Sequence, residues 1–364
     1  MRPSDITIAL DKLAQEKLPG MMWGSPGIGK SSIVRQVGKN QKRPVFDVRL
    51  ALLDPTDLRG IPFYDPEKKT AAWAPASILP RADGDKIVLE ISKEGKEILG
   101  SQENAILFLD EINAAPPVVQ AAAYQLVLDR QIGEYRLPDG VSLIAAGNRE
   151  GDKAVTFKMP TPLLNRFVHL EFDVEFEDWH DWAVNVGVEP DIVGFLNFKK
   201  GLLNQFDAQS KSRAFPTPRS WEFASRVIDR SIPDNVLRHL IAGCVGEGAA
   251  IEFMSYREVY LKLPNPADVL AGKVKKMPSK ELSAAYAMIT ALSYELKERF
   301  EKHGRGKEFF NGADTYMEFI HENFDPEFCV MGVRDCLKNF KLPLVQAPGW
   351  KGWAKDYTKL VMAA

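Results

Sequence analysis

The sequence predicts an α/β core followed by an all-helical region, and three observations carry that expectation. Short apolar runs alternate with helical stretches as far as Asp173, the pattern of a parallel sheet covered by helices. Several of those runs are continuously apolar, as strands buried on both faces are. Beyond Asp173 the strand signal stops and only helical periodicity continues.

Five runs qualify as strands: Gly20–Trp23, Val45–Leu50, Ala105–Leu109, Val141–Ala145 and Phe167–Phe172. Helices are expected to begin near Lys30 and near Pro116. The second follows Asn113-Ala-Ala-Pro-Pro, where paired prolines suit a helix's first turn and forbid its interior. Two segments break the alternation. Asp54–Pro80 is rich in Pro, Asp and aromatics, and Gln131–Gly140 carries a Pro-Asp-Gly turn signal for a hairpin. Insertions of this sort in a regular unit tend to carry function.

In the second half, Glu177–Val186, Ile192–Gln205, Pro218–Arg230, Asn235–Gly243 and Ser279–Phe300 read as helices. Ala284, Ala285, Met288, Ile289, Leu292 and Leu296 repeat at helical spacing and read as plain core. Leu261–Pro278, with three prolines and a basic cluster, marks a boundary. The expected domains are therefore 1–172 for an α/β core, 173–262 for a helical domain and 263–364 for a helical C-terminal extension.

Composition narrows the class without naming an activity. The chain has 364 residues, 45% hydrophobic and 26% charged, which suits an ordinary globular protein of two or three domains. Lys plus Arg total 47 against 49 for Asp plus Glu, so bulk charge would not hold it on nucleic acid, although a local basic groove stays open. Cys244, Cys329 and Cys336 form neither a disulfide framework nor a zinc pattern, which points to a reducing, cytoplasmic setting. No apolar run approaches about 18 residues, and MRPSDITIALDKLAQEK lacks a signal peptide's apolar centre, so neither secretion nor a membrane span is expected.

The chemistry begins at Gly24-Ser25-Pro26-Gly27-Ile28-Gly29-Lys30-Ser31, which fits G-x-x-x-x-G-K-[ST] between an expected strand and an expected helix. Such a loop turns several N–H groups toward phosphates and adds the positive end of a helix. Lys30 would neutralise phosphate charge, Ser31 would ligate Mg²⁺, and Ser32 continues the cradle. Next, Ala105–Leu109 ends in Asp110-Glu111 at the edge where ligands sit in parallel sheets. Asp110 would hold Mg²⁺ through water and Glu111 would act as general base toward the attacking water, although such a pair also caps helices. The fourth strand ends in Gly147-Asn148; the Asn148 amide could fix the lytic water or a γ-phosphate oxygen, and reads equally as a turn former. Arg166, before the fifth strand, and Arg219, in Thr217-Pro-Arg-Ser220, could stabilise transition-state charge on the γ-phosphate, although an isolated Arg is more often a surface residue.

With these elements in order the chain resembles the AAA+ ATPases and, within them, the MoxR-like ATPases. GSPGIGKSS stands as Walker A, LFLDEIN as Walker B, AAGN as sensor 1, LLNRF as the arginine-finger segment and TPRS as sensor 2. The run LDEIN-x-A-x-P-x-VQ, a helix and then QIGEYRLPDG is more specific than a bare Walker pair, and Asp54–Gly60 falls where this clade carries its helix-2 insertion. The resemblance covers roughly residues 5–230. It implies a three-layer P-loop NTPase core with strand order 5-1-4-3-2, a helical lid over 173–262, and ATP with Mg²⁺ as cofactors. It further implies a hexameric ring in which Arg166 reaches the neighbour's nucleotide, with the side on which Arg219 acts left open. Three features depart from it, one being the C-terminal 100 residues, which exceed a minimal lid. Asn148 is followed by Arg149 where the clade commonly has Pro, and the approach to Walker B over 82–104 is longer and more charged.

The resemblance implies a ring ATPase with chaperone-like action, remodelling or maturing a protein partner that contains a von Willebrand factor A domain. A nucleic-acid translocase or restriction-type motor is the competing reading, because related clades set the same insertions on DNA. That reading needs a basic, aromatic-studded pore. Gln131–Gly140 offers one Arg and one Tyr against one Glu and one Asp, and Asp54–Pro80 is no more basic. A third reading, a scaffold that binds ATP without turnover, is disfavoured by the presence of both Lys30 and Glu111.

Overall fold

The computed structural model describes residues 1–67, 69–91, 97–152, 156–210, 212–229 and 231–361. The chain divides into two compact units, Met1–Glu175 with Asp207–Ser210, and Phe176–Phe206 with Lys211–Ala364.

The first unit is built on a five-stranded parallel sheet. Its elements run α1 (Pro3–Gln15), β1 (Gly20–Trp23), α2 (Lys30–Gln41), β2 (Val45–Arg49), α3 (Pro55–Arg59), β3 (Ile61–Asp65), β4 (Thr70–Ala74), β5 (Ile87–Ile91), β6 (Glu97–Gly100), β7 (Ile106–Asp110), α4 (Pro117–Asp129), β8 (Gln131–Ile132), β9 (Tyr135–Arg136), β10 (Ser142–Gly147), α5 (Thr161–Leu164) and β11 (Val168–Glu171). The sheet order is β11-β1-β10-β7-β2, which in chain order of the five core strands is 5-1-4-3-2, as expected. Register sets Trp23 beside Gly147 and Glu171, Ala145 beside Leu109, and Arg49 beside Asp110. The carboxyl ends of β1, β7 and β10 therefore open on one edge, where a doubly covered sheet binds its ligand.

Strand alternation explains the three layers. Met22, Ile106, Phe108, Ile144 and Ala146 pack with Ile6, Leu10, Val34 and Val37 of α1 and α2 on one face. Met21, Leu107, Leu109, Leu143 and Ala145 pack with Val119, Ala122, Ala123 and Leu126 of α4 and Leu163 of α5 on the other. Each pair of neighbours along a strand thus feeds opposite layers, which is why the runs read as continuously apolar. At about 1.5–3 kcal/mol per fully buried large side chain, these two layers supply the unit's main driving force.

The insertions take definite form. Asp54–Pro80 contains α3 and the antiparallel ribbon β3–β4, and Gln131–Gly140 contains the short hairpin β8–β9. The turn of that hairpin is Gly133-Glu134, not Pro138-Asp139-Gly140. Gly133 takes a positive φ of 57°, and the proline segment instead leads into β10. The charged approach to Walker B is a third ribbon, β5–β6, whose connecting residues 92–96 lie outside the described ones. Helix α1 escaped the sequence reading although Pro3 starts it and Ile6 and Leu10 form its buried stripe.

Among the described residues the second unit is wholly helical: α6 (Phe176–Val186), α7 (Pro190–Phe198), α8 (Pro218–Val227), α9 (Asp234–Val245), α10 (Glu247–Leu261), α11 (Pro266–Leu270), α12 (Leu282–His303), α13 (Lys307–Asn323), α14 (Pro326–Arg334) and α15 (Trp350–Val361). The helix expected over Ile192–Gln205 stops at Phe198, and a 3-10 turn over Lys200–Leu202 follows. That expected over Pro218–Arg230 ends at Val227, its last expected residue lying outside the described ones. Helix α7 is buried on nearly every side; its Asp191 accepts from Arg257 Nε of α10 at 3.1 Å, both side chains under a tenth exposed. The expected apolar stripe of α12 is core, packing with Phe309, Tyr316 and Ile320 of α13 and Val333 of α14.

Candidate nucleotide site

The loop after β1 is shaped by its own residues. Gly27 and Gly29 have φ of 80° and 103°, a region that residues with a Cβ avoid, and Gly29 is the residue from which α2 starts. Ile28 between them is buried with Phe172 and Val34, which anchors the loop's crest to the core. The Lys30 ammonium donates to Gly24 O at 2.5 Å, Ser25 O at 3.1 Å and Asn148 Oδ1 at 3.0 Å. Lys30 and Asn148, far apart in sequence, therefore meet at the sheet's carboxyl edge.

Ser31, in the first turn of α2, donates its hydroxyl to Asp110 Oδ2 at 2.8 Å. Asp110 closes β7 with only 8% exposure, and its other oxygen accepts the Glu111 N–H at 2.9 Å. Glu111 has a φ of 56°, a left-handed conformation that costs a side-chain-bearing residue on the order of 1 kcal/mol. The Asp110 bond and the Ala114 N–H donating to Glu111 O at 2.9 Å hold it there. The result is an exposed carboxylate beside a buried one, Glu111 turned out of the strand line and Asp110 kept in it.

The Asn148-Arg149 departure has a structural use. Arg149 Nε donates to Glu171 Oε2 at 2.9 Å and its Nη2 to Asp173 Oδ1 at 2.7 Å, so the β10 end is fastened to the β11 end. The Arg149 bond holds the Asp173 carboxyl below its ordinary range, against the opposing effect of partial burial. Asp152, just beyond, accepts from Arg149 N–H at 3.2 Å and from Ser25 Oγ at 3.3 Å, which ties this loop to the phosphate-loop segment.

Arg166 lies between α5 and β11, exposed and with no side-chain partner among the described residues. Its turn is nonetheless fixed. Trp23 Nε1 donates to His169 Nδ1 at 2.8 Å, so His169 Nε2 carries the proton and donates to Leu164 O at 2.9 Å. Ser32 is exposed in the first turn of α2 and Pro26 is half-buried in the loop.

Arg219 belongs to the second unit. Thr217 caps α8 by a reciprocal box, its Oγ1 accepting from Ser220 N–H at 3.0 Å and its N–H donating to Ser220 Oγ at 2.7 Å. Trp221 is fully buried and donates its indole N–H to Leu202 O at 2.7 Å, which leaves Arg219 on the opposite, exposed side of the first turn.

One buried residue of the edge was not singled out by sequence. Asn113, 2% exposed, donates from Nδ2 to Asn148 O at 2.7 Å and accepts from Asn148 N–H at 3.2 Å. It sits inside the Asp-Glu-Ile-Asn run, but nothing in the sequence says which strand its amide faces.

Residues 21–174 match the model of the ATPase family associated with various cellular activities (AAA), and the match begins in β1 and ends just past β11. This part of the chain has the AAA+ P-loop NTPase fold and is similar to the ATPase domain of that family. Nucleotide binding and ATP hydrolysis are the general activities of that family. Among solved structures, a putative ATPase from Cytophaga hutchinsonii is 14% identical, with 92% of this chain and 80% of that one covered at a TM-score of 0.36. The RuvB P216G mutant of Thermotoga maritima is 14% identical over 94% and 86% at 0.35, and NtrX from Brucella abortus in complex with ADP is 15% identical over 93% and 68% at 0.37. These low-scoring likenesses carry no argument; the similarity to the AAA family rests on the match over residues 21–174 and on the fold. Among the described residues, no helix is long and apolar enough to cross a membrane.

Proposed function

We propose that the protein is a Mg²⁺-dependent ATPase that works as a hexameric ring and uses hydrolysis to remodel a protein partner. The observation that carries the catalytic part is the meeting of Ser31 Oγ with Asp110 Oδ2 at 2.8 Å, with the Glu111 carboxylate turned out beside it and Lys30 bonded to Asn148. Hard oxygen donors that already converge fit Mg²⁺, with Ser31 a direct ligand and Asp110 holding it through water. The ion, when bound, neutralises charge on the β- and γ-phosphates.

Each residue then has a task. The N–H groups from Gly24 to Ser32 wrap the phosphates, and the Lys30 ammonium exchanges its carbonyl partners for phosphate oxygens. Glu111 accepts a proton from the attacking water, and the Asn148 amide orients that water or a γ-phosphate oxygen. Arg166, without a side-chain partner among the described residues, supplies its charge to the nucleotide of the neighbouring subunit. Arg219 would serve the γ-phosphate from the first turn of α8. A cation there opposes the helix dipole by about 0.3–1 kcal/mol, a local cost that an anionic ligand removes. Residues 173–262 are the lid, most of them in the second unit, and 263–364 an extension that carries specificity.

The partner reading rests on the resemblance of the Walker B to hairpin stretch to MoxR-like ATPases, whose partners contain von Willebrand factor A domains. The ribbon β3–β4 supports a protein over nucleic acid, because it exposes Ile61 at 73%, Phe63 and Tyr64 with no excess of basic residues. The cytoplasm is the proposed compartment; burial pushes the Cys329 thiol to about 11 and Cys336 to about 12, so both are poor nucleophiles. A pulldown with ATP-loaded Glu111→Gln protein should recover a partner with such a domain, and turnover per subunit should rise with protein concentration. Recovery of no protein, together with salt-sensitive DNA binding and DNA-stimulated turnover, would replace this reading with the translocase.

A further inference from the structure

Strand β10 outruns its neighbour at the catalytic edge. Its last pair with β7 is Ala145 beside Leu109; β7 then ends at Asp110 and the chain turns away at Glu111. Ile112 N–H still reaches Ala146 O at 3.0 Å, so one more rung forms after the strand has ended. Beyond it, the backbone of Asn148 would face that side with no main chain to pair with. The Asn113 side chain fills this gap. A carboxamide carries the same donor and acceptor as a peptide group, and Asn113 uses both on one residue, giving Nδ2–H to Asn148 O at 2.7 Å and taking Asn148 N–H on Oδ1 at 3.2 Å.

Two further contacts make this pin specific. A Cβ on Gly147 would lie 2.7 Å from Asn113 Oδ1, so the strand admits the amide only because it has no side chain there. The Asn113 carbonyl accepts the Phe157 N–H at 2.7 Å, which fixes the Asn113 backbone from the segment leading to α5 and Arg166. Gly147 is also held from the other side, its carbonyl accepting Gly24 N–H at 3.3 Å.

We infer that Asn113 is a positioning residue for hydrolysis: its amide acts as a surrogate strand that fixes the backbone of Asn148 and thereby aims the Asn148 side chain at Lys30 and the γ-phosphate position. The inference rests on the ATPase reading for its effect on turnover, while the pin itself is independent of it. Among the described residues both hydrogen bonds of the Asn113 side chain go to the Asn148 backbone, so it acts through Asn148.

The test compares Asn113→Ala, Asn148→Ala, the double variant and Asn113→Asp in the full chain. Asn113→Asp keeps the size and the bond from Asn148 N–H but sets a second acceptor against Asn148 O. The expected result is a kcat lowered about 10²-fold, the scale of a 1 Å misplacement, in both Asn113 variants, with ADP affinity and KM unchanged. The double variant should be no slower than Asn148→Ala alone, because both changes remove one device. Additive losses in the double variant, or wild-type kcat in Asn113→Asp, would overturn the inference. Hydrogen exchange in peptides spanning 146–150 gives a reading that needs no turnover. Protection should fall in Asn113→Ala, and unchanged protection contradicts the pin even if ATP hydrolysis itself were absent.

Discussion

Three arginines and one lysine of the first and second units differ in what they are bonded to, and on the proposed reading the difference separates structure from reaction. Arg43 donates to Asn104 O, Ala105 O, Gly140 O and Ser142 Oγ, all near the amino ends of β7 and β10; burial depresses its guanidinium, and it is a fastening of the sheet. Lys30, at the opposite edge, is bonded as fully, but to loop carbonyls and an amide that phosphate oxygens can replace. Arg166 and Arg219 stand exposed with no side-chain partner among the described residues, yet each is mounted on a well-fixed turn. A cation that serves its own subunit finds partners there. On the proposed reading, Arg166 and Arg219 are left open at the tip for the nucleotide while their turns are held in place.

The largest test of this contrast is Lys30→Ala, which should abolish nucleotide binding by calorimetry; binding within about tenfold of wild type would make Lys30 a loop fastening like Arg43. Next, Arg166→Ala should lower kcat by about 10³-fold with ATP affinity retained, the scale of an arginine supplied in trans. Mixed with Lys30→Ala, it should regain part of the activity, because a hybrid boundary joins one intact loop to one intact finger. No recovery in well-mixed rings would leave Arg166 a surface residue.

Smaller effects test the mounting. Thr217→Ala removes half of the α8 capping box and should cost about 1 kcal/mol in urea unfolding of the second unit, whereas an unchanged midpoint would mean the box does not set the turn of Arg219. The smallest concerns acid. Burial alone would raise Asp181, but the neighbouring His180, the Lys338 ammonium 2.6 Å away and Asn339 outweigh it and lower it from 3.8 to about 2. A depressed carboxyl stabilises above its unfolded value and loses that contribution as pH falls from about 4 to about 2. Lys338→Met should therefore destabilise the second unit by about 1 kcal/mol at pH 6 and have little effect at pH 2, read by urea midpoints; an equal loss at both would point to packing instead.

How legible each part was follows from how local its cause is. The central strands β1, β7 and β10 were readable because burial on both faces demands apolar residues along nearly their whole length, as in Ile106–Leu109, and the loop because Gly27 and Gly29 are required by positive φ. The hairpin turn was misplaced because Pro138-Asp139-Gly140 and Gly133-Glu134 are both turn-forming, and only the pairing of Ile132 with Tyr135 decides between them. Helix α10 has apolar residues spread around its circumference, with Phe253 and Tyr256 packed against α7, so its period was faint. The Asn113 pin was invisible because its partner lies 35 residues away and is a backbone group, on which side-chain identity leaves no mark.

The central claim is that Asp110 and Glu111, adjacent in sequence, do different work. Glu111→Gln most directly tests it, with ATP affinity by equilibrium binding and turnover by phosphate release measured on one preparation. The account predicts wild-type affinity and a loss of turnover of at least about 10²-fold, as expected when a general base is removed. Equal loss of affinity and turnover, or turnover left intact, would contradict it.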